Sequence, residues 1–185
     1  MNKIILSGNV TIDGYIEDSD GNFDFTEPDE QVHRYWNETV AESGAQIMGR
    51  RLYEAMEPFW TDTAAKPTGT AYVDEFAKAW VETPRYVVSR TLKTAGNGVE
   101  LLGDDLEAEI TRIRESSDGN VDLGGPTLGN SLAELGLVDQ LRMLVLPIAI
   151  GSGKPFLGPA FARSGWTLLE QRAFGSSMLL RYEKA

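Results

Sequence analysis

Residues 121–132 read VDLGGPTLGNSL, and this stretch decides how the fold is interpreted. A short apolar run ends in Gly124, Gly125 and Pro126, and a helical pattern follows. Without a Cβ, the glycines allow a ligand to approach the backbone closely, while proline fixes φ for the first turn of a helix. In open α/β sheets, phosphate groups bind where strands end and helices begin. The stretch predicts a ligand-binding turn, although glycines that merely turn the chain are an alternative.

Strand-like and helix-like segments alternate along the first three quarters of the chain. Residues 85–89 are rich in β-branched side chains and predict a strand, while Leu106, Ile110 and Ile113 form one apolar face of a helix over residues 104–116. Strand-like segments with turns between them fill the last quarter, at residues 138–150, 166–174 and 177–183. We therefore expect an α/β fold with a mostly parallel central sheet, flanking helices and antiparallel C-terminal strands, in one domain over residues 1–185.

Caps and prolines predict where several helices begin and end. Thr26 as N-cap, with Pro28 in the first turn, predicts a helix that stops at Gly44. The helical pattern that begins at Arg50 is predicted to end at Pro58. Residues 61–69, rich in threonine, proline and alanine, predict a loop.

Composition limits the partners of the chain. The 185 residues are 42% hydrophobic and carry a net charge of -11, with acidic residues spread throughout. Such a surface repels phosphate polymers and anionic lipid, so we expect neither nucleic acid nor a membrane as partner. Cysteine is absent, which excludes disulfides and thiolate metal sites and suits a reducing cytoplasm. The only histidine, His33, lies in a charged helical segment; we expect it on the surface and predict no metal site.

The first ten residues, MNKIILSGNV, contain a short apolar run that polar residues and glycine interrupt. A signal peptide needs a longer apolar core, and a membrane helix needs about 20 apolar residues. We therefore expect a buried first strand at this end of the sequence.

Two further strand ends carry groups that bind phosphate. Gly49 follows the apolar run AQIM and precedes Arg50 and Arg51, while residues 89–91 supply two hydroxyls and the guanidinium of Arg90. Arginine suits phosphate because its planar fork can bind two oxygens. Three such strand ends fit a dinucleotide better than a single phosphate. The spacing of LGGPTLGN nevertheless differs from the usual GxGxxG fingerprint.

Five ordered motifs together resemble the dihydrofolate reductase-like superfamily: NVTIDGYI, IMGRRLYE, VVSRTL, LGGPTLGNSL and GLVDQLRMLVLPIAIGSG. Within it, the chain looks most like stand-alone relatives of the reductase domain of the bifunctional riboflavin-biosynthesis deaminase-reductase. The resemblance implies a cytoplasmic NADPH-dependent reductase of a small heterocyclic substrate. The implied type is 5-amino-6-(5-phosphoribosylamino)uracil reductase or dihydrofolate reductase.

The resemblance also implies roles for individual residues. Cofactor phosphates would be held by Gly49, Arg50 and Arg51, and the adenosine 2'-phosphate by Ser89, Arg90 and Thr91. The pyrophosphate and the nicotinamide side would be wrapped by Gly124, Gly125, Pro126, Thr127 and Leu128, and the nicotinamide ring flanked by Val10 and Ile16. A cis bond joins the paired glycines in dihydrofolate reductases, so we expect one here.

Asp13, in the TIDG segment near the expected nicotinamide pocket, is the candidate catalytic residue. Its alternative role is that of a turn residue before Gly14. Trp36, Phe59 and Trp60 would line the substrate side or, alternatively, pack in the core.

Two broader alternatives stay open at the level of function. The chain could be a non-catalytic NADP(H)-binding sensor or interaction module, or an assembly protein whose glycines only turn the chain. The run LRMLVLPIAI predicts a strand buried on both sides, either by the core or partly by a second subunit, and we expect a homodimer.

Overall fold

The computed structural model describes residues 1–26, 28–103 and 105–185. The strands are β1 (Ile4–Thr11), β2 (Tyr15–Glu17), β3 (Ala45–Gly49), β4 (Arg85–Val88), β5 (Glu100–Leu102), β6 (Val121–Gly124), β7 (Gln140–Leu146), β8 (Lys154–Pro155), β9 (Trp166–Phe174) and β10 (Ser177–Lys184). The α-helices are α1 (Glu30–Glu42), α2 (Arg50–Ala65), α3 (Ala71–Glu82), α4 (Leu106–Ser116) and α5 (Pro126–Glu134). Short 3-10 helices cover Asp24–Thr26 and Pro159–Phe161.

The chain divides into two compact units. The first unit comprises Met1–Lys3 and Pro28–Leu123, and the second comprises Ile4–Glu27 and Gly124–Ala185. That residues 1–185 form a single domain stays a prediction.

The first unit contains the strand order β5, β4, β3, β6. Strand β4 is parallel to both β3 and β5. Helices α1 and α2 both pack on α3. A buried apolar cluster of Val40, Met48, Phe76 and Trp80 joins these helices to β3. This part of the chain therefore has the strand and helix alternation that the sequence predicts.

The second unit contains the strand order β1, β7, β10, β9. Strands β1 and β7 are parallel, whereas β10 is antiparallel to both β7 and β9. The predicted parallel sheet with antiparallel C-terminal strands is thus confirmed. Strand β7 ends at Leu146, four residues earlier than expected.

Helix α5 lies very close to β1 within the second unit. A Cβ on Gly129 would stand only 2.7 Å from Cδ1 of Leu6, which is completely buried. The glycine that follows PTL in the LGGPTLGN motif is therefore needed for packing.

The predicted start of α1 at Thr26 is wrong. The helix begins at Glu30, and its N-cap is Asp29, which accepts a hydrogen bond from the amide of Val32 at 2.9 Å. The Thr26 hydroxyl instead donates to the carbonyl of Phe23 at 2.6 Å. Thr26 thus belongs to the separate 3-10 helix Asp24–Thr26, while Asp29 stands three residues before Val32, where its carboxylate can cap the helix.

Helix α2 does not end at Pro58 and continues to Ala65, so the predicted loop begins only at Lys66. Proline removes the amide that would bond to the carbonyl of Glu54. Both Pro58 and Glu54 are exposed, so water can satisfy that carbonyl. The predicted helix over residues 104–116 is confirmed from Leu106 onward, with Asp105 as N-cap, and Asp104 lies outside the described residues.

His33 is buried, contrary to the expectation of a surface residue. It is 8% exposed, and its ring centroid lies 5.0 Å from that of Tyr72 and 5.4 Å from that of Phe76. Its Nδ1 lies 2.9 Å from Oδ1 of Asn37. The aromatic neighbours come from α3, so the sequence around His33 does not reveal them. Within the described residues, no helix combines the length and apolar character that crossing a bilayer requires.

Candidate functional site

The ends of β3 and β4 lie side by side in the first unit. Gly49, the last residue of β3, is the register partner of Val88, the last residue of β4. Parallel strands end at the same edge of a sheet, so residues 50–51 and residues 89–91 leave the sheet at neighbouring points. The structure therefore brings together two of the motifs that the sequence predicts to bind phosphate.

The N-terminus of α2 offers backbone amides to an anion. Gly49 is the N-cap and supplies no side-chain cap, so the first amides of the helix lack intrahelical acceptors. The helix dipole makes this end positive. Arg50 and Arg51 are exposed, and Nη1 of Arg50 lies 3.2 Å from Oε1 of Glu54. Arg50 is thus held by a carboxylate on its own helix, and screening by water weakens that pair.

The segment after β4 forms a local turn. Oγ of Ser89 accepts hydrogen bonds from the amides of Thr91 at 3.1 Å and Leu92 at 3.0 Å. Arg90 is exposed, and among the described residues its side chain has no hydrogen bond or ion pair. Its guanidinium is therefore the cation at this strand end that a ligand phosphate can bind without displacing a protein carboxylate.

The diglycine belongs to the second unit. Gly125 is the N-cap of α5 with φ 100° and ψ 121°, a conformation that side chains other than glycine rarely adopt. The Gly124–Gly125 peptide bond is trans, so the expected cis bond is wrong. The positive φ of Gly125 accounts for at least one of the two glycines.

The first turn of α5, like that of α2, has a glycine N-cap and no side-chain cap on its backbone amides. Pro126 occupies the first helical position, where it has no amide to satisfy, and Gly125 provides no side-chain cap. Thr127 is exposed, whereas the side chain of Leu128 is only 7% exposed. An anion at this turn would therefore meet the backbone amide of Leu128 rather than its side chain.

Asp13 ties two loops of the second unit together. Its carboxylate accepts hydrogen bonds from the hydroxyl of Thr11 at 2.6 Å, the amide of Gly151 at 2.7 Å and the amide of Ile150 at 3.1 Å. The Thr11 and Gly151 bonds lower the pKa of Asp13, so the carboxylate is ionised near neutral pH. An ionised carboxylate that accepts these hydrogen bonds can hold the two loops together, but it carries no proton to donate at neutral pH. A catalytic role for Asp13 stays a prediction.

The two residues expected beside the nicotinamide ring lie in different strands of the second unit. Val10 is on β1 and is 1% exposed, while Ile16 is half-buried on β2, which pairs with β8. Their contact with a cofactor stays a prediction.

The aromatic residues proposed for the substrate side divide into two groups. Trp36 and Trp60 pack against the buried cluster of the first unit, which is the alternative role expected for them. Phe59 is 57% exposed. Phe59 therefore has the larger exposed surface, while Trp36 and Trp60 are partly buried against the cluster.

Outside these strand ends, a further site among the residues that the structure describes would be a metal-binding group or a depression beside α4. In residues 1–26, 28–103 and 105–185, no group of three or more histidine, aspartate or glutamate side chains is arranged to hold a metal. A shallow depression beside α4 is lined by Asp105, Glu107 and Glu115 as well as Arg112. Its carboxylates would repel a phosphate, so it is not a cofactor candidate.

Sequence reasoning missed three residues around the strand-end motifs: Tyr53, Glu57 and Arg85. Glu57 and Arg85 form a buried ion pair, with Nε of Arg85 3.1 Å from Oε2 of Glu57. The hydroxyl of Tyr53 accepts a hydrogen bond from the amide of Gly96 at 2.9 Å. No local pattern signals these contacts, because the partners are 28 and 43 residues apart.

Comparison with solved structures defines the class of fold. The chain is similar to a candidate riboflavin biosynthesis protein from Shewanella sp. PV-4, with a TM-score of 0.77 and 18% identity over 99% of each chain. It is also similar to dihydrofolate reductase from Enterococcus faecalis, complexed with NADP(H) and RAB-propyl. For that structure the TM-score is 0.67 and the identity 12%, over 98% of this chain and 96% of that chain. The chain therefore has the dihydrofolate reductase-like α/β fold.

The family follows from sequence. The model of the RibD C-terminal domain matches residues 2–180, and the chain belongs to this family. The uncharacterised protein YyaP of Bacillus subtilis (strain 168) is 26% identical over 180 residues, which cover 96% of this chain and 92% of YyaP. Family and fold together support a reductase-type enzyme.

Proposed function

We propose that this protein is an NADPH-dependent reductase that transfers a hydride to a small heterocyclic substrate. The proposed type is 5-amino-6-(5-phosphoribosylamino)uracil reductase or dihydrofolate reductase. Membership of the RibD C-terminal domain family supports the reaction class. The observation that carries the proposal is the pairing of Gly49 with Val88, because the two segments that we propose to bind phosphate begin directly after these residues.

The residues at this strand edge fit the phosphates of NADPH. The start of α2 has no side-chain cap on its backbone amides, the guanidinium of Arg90 is exposed, and phosphate oxygens accept hydrogen bonds from both kinds of donor. We propose that Gly49, Arg50 and Arg51 bind cofactor phosphate and that Ser89, Arg90 and Thr91 bind the 2'-phosphate. NADPH carries this dianionic group and NADH does not, so a nearby cation favours NADPH.

The second unit offers separate support. The uncapped first turn of α5, with Gly125, Pro126, Thr127 and the amide of Leu128, has the chemistry of a pyrophosphate site. The resemblance assigns this role to the same turn.

The reduced nicotinamide, when bound, supplies the hydride. The protein is then required to bind and orient the cofactor and the substrate. The lowered pKa of Asp13 opposes its use as a proton donor at neutral pH, so we propose that the proton comes from another group or from water.

Turnover tests the enzymatic part of the proposal. NADPH oxidation is followed by absorbance in the presence of a dihydropterin or of 5-amino-6-(5-phosphoribosylamino)uracil, and we expect enzyme-dependent oxidation of NADPH with one of these substrates. NADPH binding without turnover across such substrates would favour the sensor or interaction module instead. Failure to bind any nucleotide would favour the assembly protein. The cytoplasmic location and the homodimer remain proposals alongside this function.

A further inference from the structure

The loop that carries Arg90 is closed by turns at both ends. At its start, Oγ of Ser89 accepts the amides of Thr91 and Leu92. At its far end, Asn97 and Gly98 have φ values of 57° and 75°, and the amide of Val99 donates to the carbonyl of Gly96 at 3.0 Å. Asparagine and glycine are the residues that adopt this left-handed conformation most readily.

Two side chains outside the loop hold its far end. The Tyr53 hydroxyl on α2 accepts the amide of Gly96 at 2.9 Å, and Nη2 of Arg85 on β4 donates to the carbonyl of Asn97 at 3.0 Å. Both contacts are made to backbone atoms of consecutive residues. They therefore fix the path of the loop whatever side chains it carries.

The Arg85 tether is itself rigid. Its Nε donates to Oε2 of Glu57 at 3.1 Å, and its Nη1 donates to the carbonyl of Thr83 at 3.1 Å. Arg85 is 6% exposed and Glu57 is 1% exposed. Trp80 adds a hydrogen bond from its indole Nε1 to Oε2 of Glu57 at 2.9 Å. A planar guanidinium held at several donors has little freedom to move, so Nη2 stays aimed at the loop.

Tethering both ends of a loop restricts the conformations of the residues between them. A loop that is ordered before the ligand arrives loses less entropy on binding, which strengthens binding. Ordering of the loop matters most for Arg90, because its long side chain is exposed and has no partner among the described residues.

We propose that Tyr53 and Arg85 are positioning residues that hold the Ser89–Thr91 segment in place for the cofactor 2'-phosphate and so set the preference for NADPH over NADH. Neither residue needs to contact the cofactor. The inference rests on the proposed function, because it assumes that Arg90 binds that phosphate.

Tyr53→Phe tests the inference, because it removes one hydroxyl and keeps the ring. Isothermal titration calorimetry gives Kd for NADPH and for NADH with wild type, Tyr53→Phe and Arg90→Ala. We expect Tyr53→Phe to weaken NADPH binding about 3- to 10-fold, the effect of losing one neutral hydrogen bond, and to leave NADH binding unchanged. Tyr86→Phe is the matched control, because no hydrogen bond to the Tyr86 hydroxyl occurs among the described residues.

The measured affinities distinguish failure of the positioning role from failure of the proposed function. If Arg90→Ala weakens NADPH binding and Tyr53→Phe does not, the positioning role is wrong and the proposed function stands. If Tyr53→Phe weakens both cofactors equally, its role is general structure and the inference is overturned. If Arg90→Ala changes neither affinity, the proposed 2'-phosphate role fails, and the inference fails with it.

Hydrogen exchange of wild type provides a second measurement that does not depend on a variant folding. We expect the Gly96 amide to be protected without cofactor, because Tyr53 accepts it, and to gain protection with NADPH but not with NADH. An unprotected Gly96 amide in the free protein contradicts the tether.

Discussion

The carboxylate of Asp13 accepts a hydrogen bond from the backbone amide of Gly151 at 2.7 Å and another from Ile150 at 3.1 Å. The Thr11 hydroxyl that donates to Asp13 also accepts the amide of Tyr15 at 2.9 Å. One carboxylate thus fixes the turn after β1 and ties it to residues 150–151. The sequence offered a catalytic residue and a turn residue as alternatives, and these contacts support the turn.

The contacts of Asp13 predict how this tie depends on pH. The pKa of Asp13 lies below its ordinary value of 3.8, so the ionised form binds the loop better than the protonated form. The stabilisation is therefore complete above pH 3.8 and is lost as the pH falls through the lower, folded pKa. NMR titration of the Gly151 amide should show a midpoint below 3.8, and Asp13→Asn should abolish it. A midpoint above 3.8 contradicts the tie.

The left-handed backbone of Gly125 predicts a penalty for any side chain there. With φ at 100°, alanine would be strained, and we expect Gly125→Ala to lower the free energy of unfolding by about 1–3 kcal/mol. Urea denaturation measures the change. Gly165→Ala is the control, because φ of Gly165 is not positive and its Cβ would lie 3.5 Å from Cβ of Ala185, an ordinary contact. Equal stability of the two variants contradicts the assigned conformation.

The buried Glu57–Arg85 pair predicts a large effect from a small change. Glu57→Gln leaves the guanidinium of Arg85 buried without its counter-charge, and we expect a loss of about 3–5 kcal/mol in the free energy of unfolding. Glu30→Gln is the comparison, because it breaks the exposed Arg34–Glu30 pair, which contributes at most about 1 kcal/mol. Similar losses for both variants would show that Glu57 and Arg85 are not paired in a dry interior.

The predicted homodimer has a candidate surface in β9. This strand ends the order β1, β7, β10, β9, and its Leu168 and Leu169 are each 46% exposed. Tyr182 pairs with Leu168 and Arg181 with Glu170, so Leu169 is the extra residue of a β-bulge, and both exposed leucines lie in the last strand of this order. We expect a dimer in sedimentation experiments at micromolar concentration and a monomer for Leu168→Lys. A monomeric wild type contradicts the prediction.

The strand ends could be predicted because their signals are local. AQIMG and RYVVS are short apolar runs that stop at glycine or serine, and the structure ends β3 at Gly49 and β4 at Val88. The alignment of these two ends could only be expected from the general geometry of parallel sheets, and the register confirms it.

The contacts that order the candidate site could not be predicted. From the sequence, Arg85 is predicted only to be the first residue of a strand. Its burial depends on Glu57, which lies in a helix 28 residues earlier. The sequence predicts His33 on the surface, because the aromatic residues that bury it come from another helix. Pro58 predicts the end of a helix. Helix α2 nevertheless continues, because the carbonyl of Glu54 that loses its hydrogen bond belongs to an exposed residue and can bind water. In each case tertiary contacts or solvent exposure outweigh the local signal.

In the proposed function, Arg90 is the cation that binds the 2'-phosphate of NADPH. The most direct measurement is the Kd of NADPH and of NADH for wild type, Arg90→Ala and Lys93→Ala, where Lys93 is an exposed cation of the same loop. We expect Arg90→Ala to weaken NADPH roughly 10- to 100-fold and to leave NADH unchanged, because a charged hydrogen-bond partner is lost, while Lys93→Ala changes neither. Unchanged NADPH affinity in Arg90→Ala, or an equal loss for both cofactors, would contradict the role of Arg90 in binding the 2'-phosphate.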